Sequence, residues 1–128
     1  MTLTLKNIIP ASTWATIQAY FNNLYVTIFN NGSAASGGSS VELNAKSGIL
    51  EFSATCSAGA TLDLVLTNSY VSPTTPLWYS LGYDTADDGL PEILFITKGN
   101  GTVIFRIYNQ SPADATNGNI KIDFQIMN

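Results

Sequence analysis

The chain predicts an all-β fold, an antiparallel β-sandwich or jelly roll of about seven or eight strands. Three observations carry this expectation. Apolar residues recur at every second position in several short runs, the period of a half-buried strand. Gly, Asn and Pro punctuate the spaces between those runs. The composition is 45% hydrophobic with six Phe and six Tyr, yet only 11% charged, well below the roughly 25% of ordinary soluble domains.

Taken in order, Leu3–Ile9 is the first strand candidate. It is followed by Trp14, Ile17, Tyr20, Phe21 and Leu24, which follow helical spacing behind Ser12 as an N-cap and predict a short helix near the N-terminus. The competing strand reading of the same stretch places Ala15, Ile17 and Ala19 inward. Leu24–Phe29 and Gly48–Ala54 are further strands. Leu62, Leu64 and Leu66 alternate with Asp63 and Val65. Leu77–Tyr83 and Glu92–Thr97 come next, and Gly99-Asn100-Gly101 then forms a hairpin signal, because Asn and Gly tolerate the positive φ of tight turns. In the run after it, Val103, Phe105 and Ile107 alternate with Ile104, Arg106 and Tyr108; with two apolar faces, this strand is expected at the centre of a sheet, covered on both sides. Asn117-Gly118 marks a turn before Ile120, Ile122, Phe124 and Ile126, the cleanest alternation in the chain. Thr61 to Asn68 and Thr102 to Asn109 echo each other, each a Thr, a mostly apolar strand and a closing Asn.

The Gly/Ser-rich stretch 31–40 has the composition of a flexible linker or loop. It divides the expected organisation into an N-terminal arm or small layer over 1–30 and a β-sandwich core over 41–128. The alternative is a long loop inside a single sandwich.

Charge narrows the function classes. The net charge is −4, with four Lys and one Arg; phosphate neutralisation needs a basic patch, so neither nucleic acid nor an anionic membrane is an expected partner. No apolar run approaches the roughly 18 residues of a membrane span. Met1–Lys6 lacks the basic start and apolar run of a secretory signal, so synthesis in a cytoplasm is expected. Ser, Thr, Asn and Gly supply 48 residues, a neutral polar surface suited to a protein largely covered by partners.

Catalysis is not expected. Histidine is absent, which removes the usual nucleophile triads and the commonest zinc ligand. Cys56 stands alone and reads as a small buried hydrophobe. Paired carboxylates are the remaining device; Glu42, Glu51, Glu92, Asp63 and Asp123 qualify by type only. Asp84, Asp87 and Asp88 beside Gly89 are weak candidates for a cation, but the spacing fails the calcium-loop template at Ala86 and Phe95. No cofactor is expected. Among Tyr70, Trp78, Tyr79 and Tyr83, Trp78 and Tyr79 point to opposite faces of a strand, so at least one leaves the core. Core packing, a partner contact and a sugar platform all remain open for this aromatic set.

Val41-Glu42-Leu43-Asn44-Ala45-Lys46-Ser47-Gly48, Ala58 to Ser69, and Gly99 to Ile126 with its Asn109 and Asn117-Gly118 resemble small β-sandwich proteins of tailed-bacteriophage virions, of the capsid decoration or cement type. The resemblance spans about two-thirds of the chain and excludes residues 1–40. It implies a non-enzymatic structural role on the virion capsid surface, after synthesis in the host cytoplasm. The implied partners are the major capsid protein and further copies in a dimer or trimer. Leu3, Leu5, Ile8, Ile9, Trp14, Trp78 and Tyr79 are the candidate interface residues. The alternatives are a glycan- or receptor-binding module of a tail fibre or baseplate, and a minor tail or neck subunit.

Overall fold

The computed structural model describes residues 13, 15–20, 31–82 and 88–127. The chain divides into two units, Met1–Asn30 and Asn31–Asn128. In the first, residues 15–20 are helical and Ile17 is its half-buried residue, in line with the helical spacing there. Ser12, Trp14, Phe21, Leu24 and the strand candidates Leu3–Ile9 and Leu24–Phe29 lie outside the described residues. No helix among the described residues is long and apolar enough to cross a membrane.

The second unit is a sandwich of eight strands: β1 (Asn31–Ser36), β2 (Ser40–Glu42), β3 (Ser47–Phe52), β4 (Thr61–Thr67), β5 (Leu77–Leu81), β6 (Pro91–Gly99), β7 (Thr102–Asn109) and β8 (Ile120–Ile126). One sheet has the order β1-β3-β8-β5 and the other β2-β4-β7-β6. The two inner faces share one core. Leu50 and Phe52 of β3 and Ile120, Ile122, Phe124 and Ile126 of β8 meet Leu64 and Leu66 of β4 and Val103, Phe105 and Ile107 of β7. Each such side chain contributes about 1.5–3 kcal/mol by leaving water. The alternation that marks these strands in the sequence is therefore the alternation of core and outer face.

β7 is central, as its two apolar faces predict, but its two faces differ. Val103, Phe105, Ile107 and Asn109 are fully buried, whereas Ile104, Arg106 and Tyr108 are only half-buried. The partial cover comes from side chains on the flanking strands: Arg106 pairs with Asp63 of β4 and lies over the Phe95 ring of β6.

The segment read as a flexible linker folds differently. Asn31–Ser36 is a strand in parallel register with β3, from Asn31↔Ser47 to Ser36↔Phe52. After bends at 37–39 the chain enters the other sheet as β2, in parallel register with β4. The sandwich therefore begins at Asn31 and not at residue 41. Parallel partners need a crossover, and here each is supplied by a visit to the opposite sheet; the other four strand pairs are antiparallel. The small residues of β1 answer a packing demand. Gly32 sits opposite Gly48, and a Cβ on Gly48 would stand 2.5 Å from the Gly32 carbonyl oxygen and 2.9 Å from Leu43.

Two buried asparagines close the two poles. Asn68, at the end of β4, donates to the Ala45 carbonyl at 2.7 Å and accepts from the Tyr70 amide at 2.9 Å. Asn109, at the end of the antiparallel neighbour β7, holds the other pole. Its Nδ2 donates to the carbonyls of Cys56 (3.1 Å) and Asp114 (2.8 Å). Its Oδ1 accepts from the amides of Leu90 (2.9 Å) and Ser111 (3.1 Å). Both side chains have zero exposure. The echo in the sequence thus reflects one device used twice, a strand-end amide that binds loop backbone which would otherwise be buried without partners.

Candidate functional site

The structure separates the aromatic pair. Tyr79 lies opposite Phe124 and points inward, its ring edge-on to Phe105 with centroids 6.0 Å apart. Trp78 lies opposite Gln125 on the outer face and is 52% exposed. Leu3, Leu5, Ile8, Ile9 and Trp14 fall outside the described residues, as do Asp84 and Asp87. Asp88 is exposed and bridges to Asn117. No group of three His, Cys, Asp or Glu gathers among the described residues.

The carboxylates are dispersed. Asp63 stands on the outer face of one sheet and Asp123 on the outer face of the other, with a core about 10 Å thick between them. Glu42 accepts from Asn44 at 3.1 Å, and Glu92 accepts from Gln110. Glu51 lies opposite Lys121 across β3 and β8. Asp63 receives two hydrogen bonds of 2.7 Å from Arg106. That bonded guanidinium holds the Asp63 carboxyl below the ordinary aspartate range, and the carboxylate in turn raises Arg106. Burial pushes the Cys56 thiol up, against the opposing pull of a backbone hydrogen bond from Asn109. Cys56 is therefore a thiol at neutral pH, seated at 3.3 Å from the Ala60 carbonyl, and lacks the thiolate that reactivity requires.

What the arrangement offers is a surface for contact, and the sheet edges define it. A free edge presents unpaired amides and carbonyls, which proteins blunt with charge, proline, bulges or brevity. β2 is three residues long and ends in Glu42. β6 begins at Pro91, carries Lys98 and is bulged between Ile93 and Phe95. β5 is five residues long and follows Pro76. β1 has none of these devices: its six residues are Asn-Gly-Ser-Ala-Ala-Ser.

The polarity of that edge follows from the ladder. The Ser36 carbonyl accepts from the Ser53 amide at 3.2 Å. By strand alternation, Gly32, Ala34 and Ser36 turn their backbone groups toward β3. Ser33 and Ala35 turn theirs away, to the side that no described strand pairs, and both residues are exposed. Beside them a shallow cleft of about 290 Å³ is lined by Ser33, Ala34, Ala35, Ile49 and Glu51, with Ile49 48% exposed. Sequence reasoning missed this edge, because β1 has no hydrophobic alternation to announce a strand.

A second outward cluster sits on β6. The bulge turns both Leu94 and Phe95 to solvent, 47% and 48% exposed. The run Ile93-Leu94-Phe95-Ile96, apolar without alternation, was the available signal for it. No family model, curated protein or solved structure matches the chain.

Proposed function

We propose that this chain is a non-enzymatic structural subunit that works by association, and that its setting is the outer capsid of a bacteriophage, as a decoration protein bridging capsid subunits. The observation that carries the associative reading is the edge of β1 beside the Ile49 cleft, which no strand among the described residues pairs. A second copy brought against it in antiparallel sense would extend the sheet across a two-fold axis, with Ser33 and Ala35 of each chain exchanging backbone hydrogen bonds. The small side chains of β1 let the two backbones approach, and Ile49 gives the junction an apolar flank.

The virion setting is supported by the resemblance of residues 41–48, 58–69 and 99–126 and by the sparsely charged Ser/Thr/Asn surface. A ligand that binds only the assembled lattice stabilises it by mass action, which is the work a cement protein does.

The test has two parts. Light scattering behind a sizing column gives an oligomer for the wild type and a monomer for Ala35→Lys, which charges the outer edge and leaves the β1–β3 ladder intact. The wild-type protein then co-sediments with capsids of its own phage. A wild type that stays monomeric at high concentration removes the edge contact; failure to pellet with capsids in excess removes the virion setting.

A second reading rests on Trp78. An exposed indole beside the Gln125 amide on one sheet face offers the apolar platform and hydrogen-bonding rim that a sugar ring uses, as in a tail-fibre module. Glycan-array binding abolished by Trp78→Ala would favour it over the capsid.

A further inference from the structure

The sequence holds three Asn-Gly steps, at Asn31-Gly32, Asn100-Gly101 and Asn117-Gly118. In such a step the glycine nitrogen is sterically open, since glycine carries no side chain to hinder it. It closes on the asparagine side-chain carbon only when it is free of other partners and lies next to that carbon. The fold treats the three steps differently.

At Asn100-Gly101, the Gly101 amide donates to the Val71 carbonyl at 2.8 Å, which ties up the nitrogen. At Asn31-Gly32, the Gly32 backbone faces β3 within the parallel ladder, and Asn31 Oδ1 is held by the Ser47 hydroxyl at 3.2 Å. At Asn117-Gly118, the Gly118 amide donates to Oδ1 of Asn117 itself at 3.0 Å, so its hydrogen bond holds it against the group it would attack and not against a third one. The side-chain carbon is one bond from that oxygen, so nucleophile and electrophile are already side by side. Gly118 has φ of 78°, and both residues are exposed to water.

We infer that Asn117 is a site of spontaneous self-modification, losing its side-chain amide through a cyclic imide with Gly118, while the fold protects Asn31 and Asn100. Solvent base removes the Gly118 amide proton, and the nitrogen attacks Cγ of Asn117. A C–N bond forms, the Cγ–Nδ2 bond breaks, and the departing nitrogen takes protons from water to leave as ammonia. Water then opens the ring at either carbonyl, giving aspartate or isoaspartate. No oxidant or reductant enters.

The neighbourhood gives the change a consequence. Asn117 Nδ2 faces the Asp88 carboxylate at 3.4 Å across an isolated bridge; after the reaction a second carboxylate faces it, and like charges repel. The isoaspartate product also lengthens the backbone by one methylene next to Thr116. The Thr116 hydroxyl accepts from the Cys56 amide at 2.7 Å, and its own amide donates to the Cys56 carbonyl at 2.9 Å. Conversion therefore loosens the pole that Asn109 closes.

The test is a time course of the folded full chain at mildly alkaline pH, read by peptide mapping with isoaspartate detection. Conversion is expected at Asn117 first, roughly fivefold faster than at Asn31 or Asn100, the factor that one net hydrogen bond to a third group imposes on the protected nitrogens. The same course in denaturing urea brings the three rates together. Equal or faster conversion at Asn31 or Asn100 in the folded protein overturns the inference. So does a preference for Asn117 that persists in urea, since local sequence and not the fold would then be its cause. Asn117→Ser fixes the assignment: it abolishes the early acidic species, and persistence of that species overturns the inference as well.

Discussion

Replacing Asn109 with alanine removes a side chain that binds four backbone groups drawn from three separate loops. The carbonyls of Cys56 and Asp114 lose a donor, and the amides of Leu90 and Ser111 lose an acceptor. A net hydrogen bond is worth about 1 kcal/mol, and a buried group left unpaired costs about 1–3 kcal/mol. If water enters the vacated space and rebinds the four groups in part, the loss is about 4 kcal/mol; a dry gap costs more. Against a total stability of about 5–15 kcal/mol this is a large fraction. With an unfolding entropy of about 2.1 cal/mol/K per residue, it lowers the melting temperature by roughly 15 °C. Urea unfolding followed by far-ultraviolet circular dichroism measures it as a lower midpoint at unchanged slope. Asn68→Ala provides the internal scale, since Asn68 makes two such side-chain bonds and should lose about half as much. The pole-closing role is refuted if Asn109→Ala costs under about 1 kcal/mol, the worth of a single net bond, or if Asn68→Ala costs more. Asn109→Asp adds a sign test. A carboxylate there faces two carbonyl oxygens in a buried site, so its folded-state pKa rises above the unfolded value. That variant is then most stable below the unfolded aspartate pKa and loses stability as pH rises, a trend opposite to that of a native acid pair.

Gly48→Ala drives a methyl group into the Gly32 carbonyl; overpacking of this kind costs about 1–3 kcal/mol. Hydrogen exchange should show β1 losing protection before β7 does. Asp63→Asn removes an acid whose folded pKa is depressed by Arg106. The wild-type contribution is fully present above the ordinary aspartate range and disappears as pH falls through the folded value, so the variant's stability, measured in urea from neutral to acid pH, should lack that step. Cys56 should resist alkylation in the folded protein and react on unfolding, because burial disfavours its thiolate; prompt labelling of the native chain would contradict this.

Where a strand buries one face in large side chains, its sequence announced it. β8 needs Ile120, Ile122, Phe124 and Ile126 on one side, and no other periodicity fits that run. β1 is the counter-example. Its inward positions are Gly32, Ala34 and Ser36, and apolar cover comes from Leu43, which follows Gly32 at a distance no strand period spans and lies beyond β2. Smallness demanded by a close approach looks the same, in a string of letters, as smallness chosen for flexibility. The split between Trp78 and Tyr79 was legible, but which of them turns outward depends on the register Tyr79↔Phe124, set by pairing with a strand more than forty positions away. The repeated strand-end Asn was visible as an echo; its meaning required the loops that each amide binds.

The paired rows of the first sheet fix where the chain enters and leaves the sandwich. Asn31 stands opposite Ser47, and Ser47 opposite Gln125, so entry and exit lie on one row about 10 Å apart, two strand spacings. Both are at the pole that Asn68 closes. Tension applied between residues 31 and 126 therefore opens the first sheet one rung at a time, as a zipper, instead of sliding whole strands past each other against every rung together. Such a body yields at low force when its two ends are pulled apart, and it bears load well only when held by its flanks. A subunit anchored along the whole β1 edge would load the six paired rows of β1 and β3 together instead of one at a time.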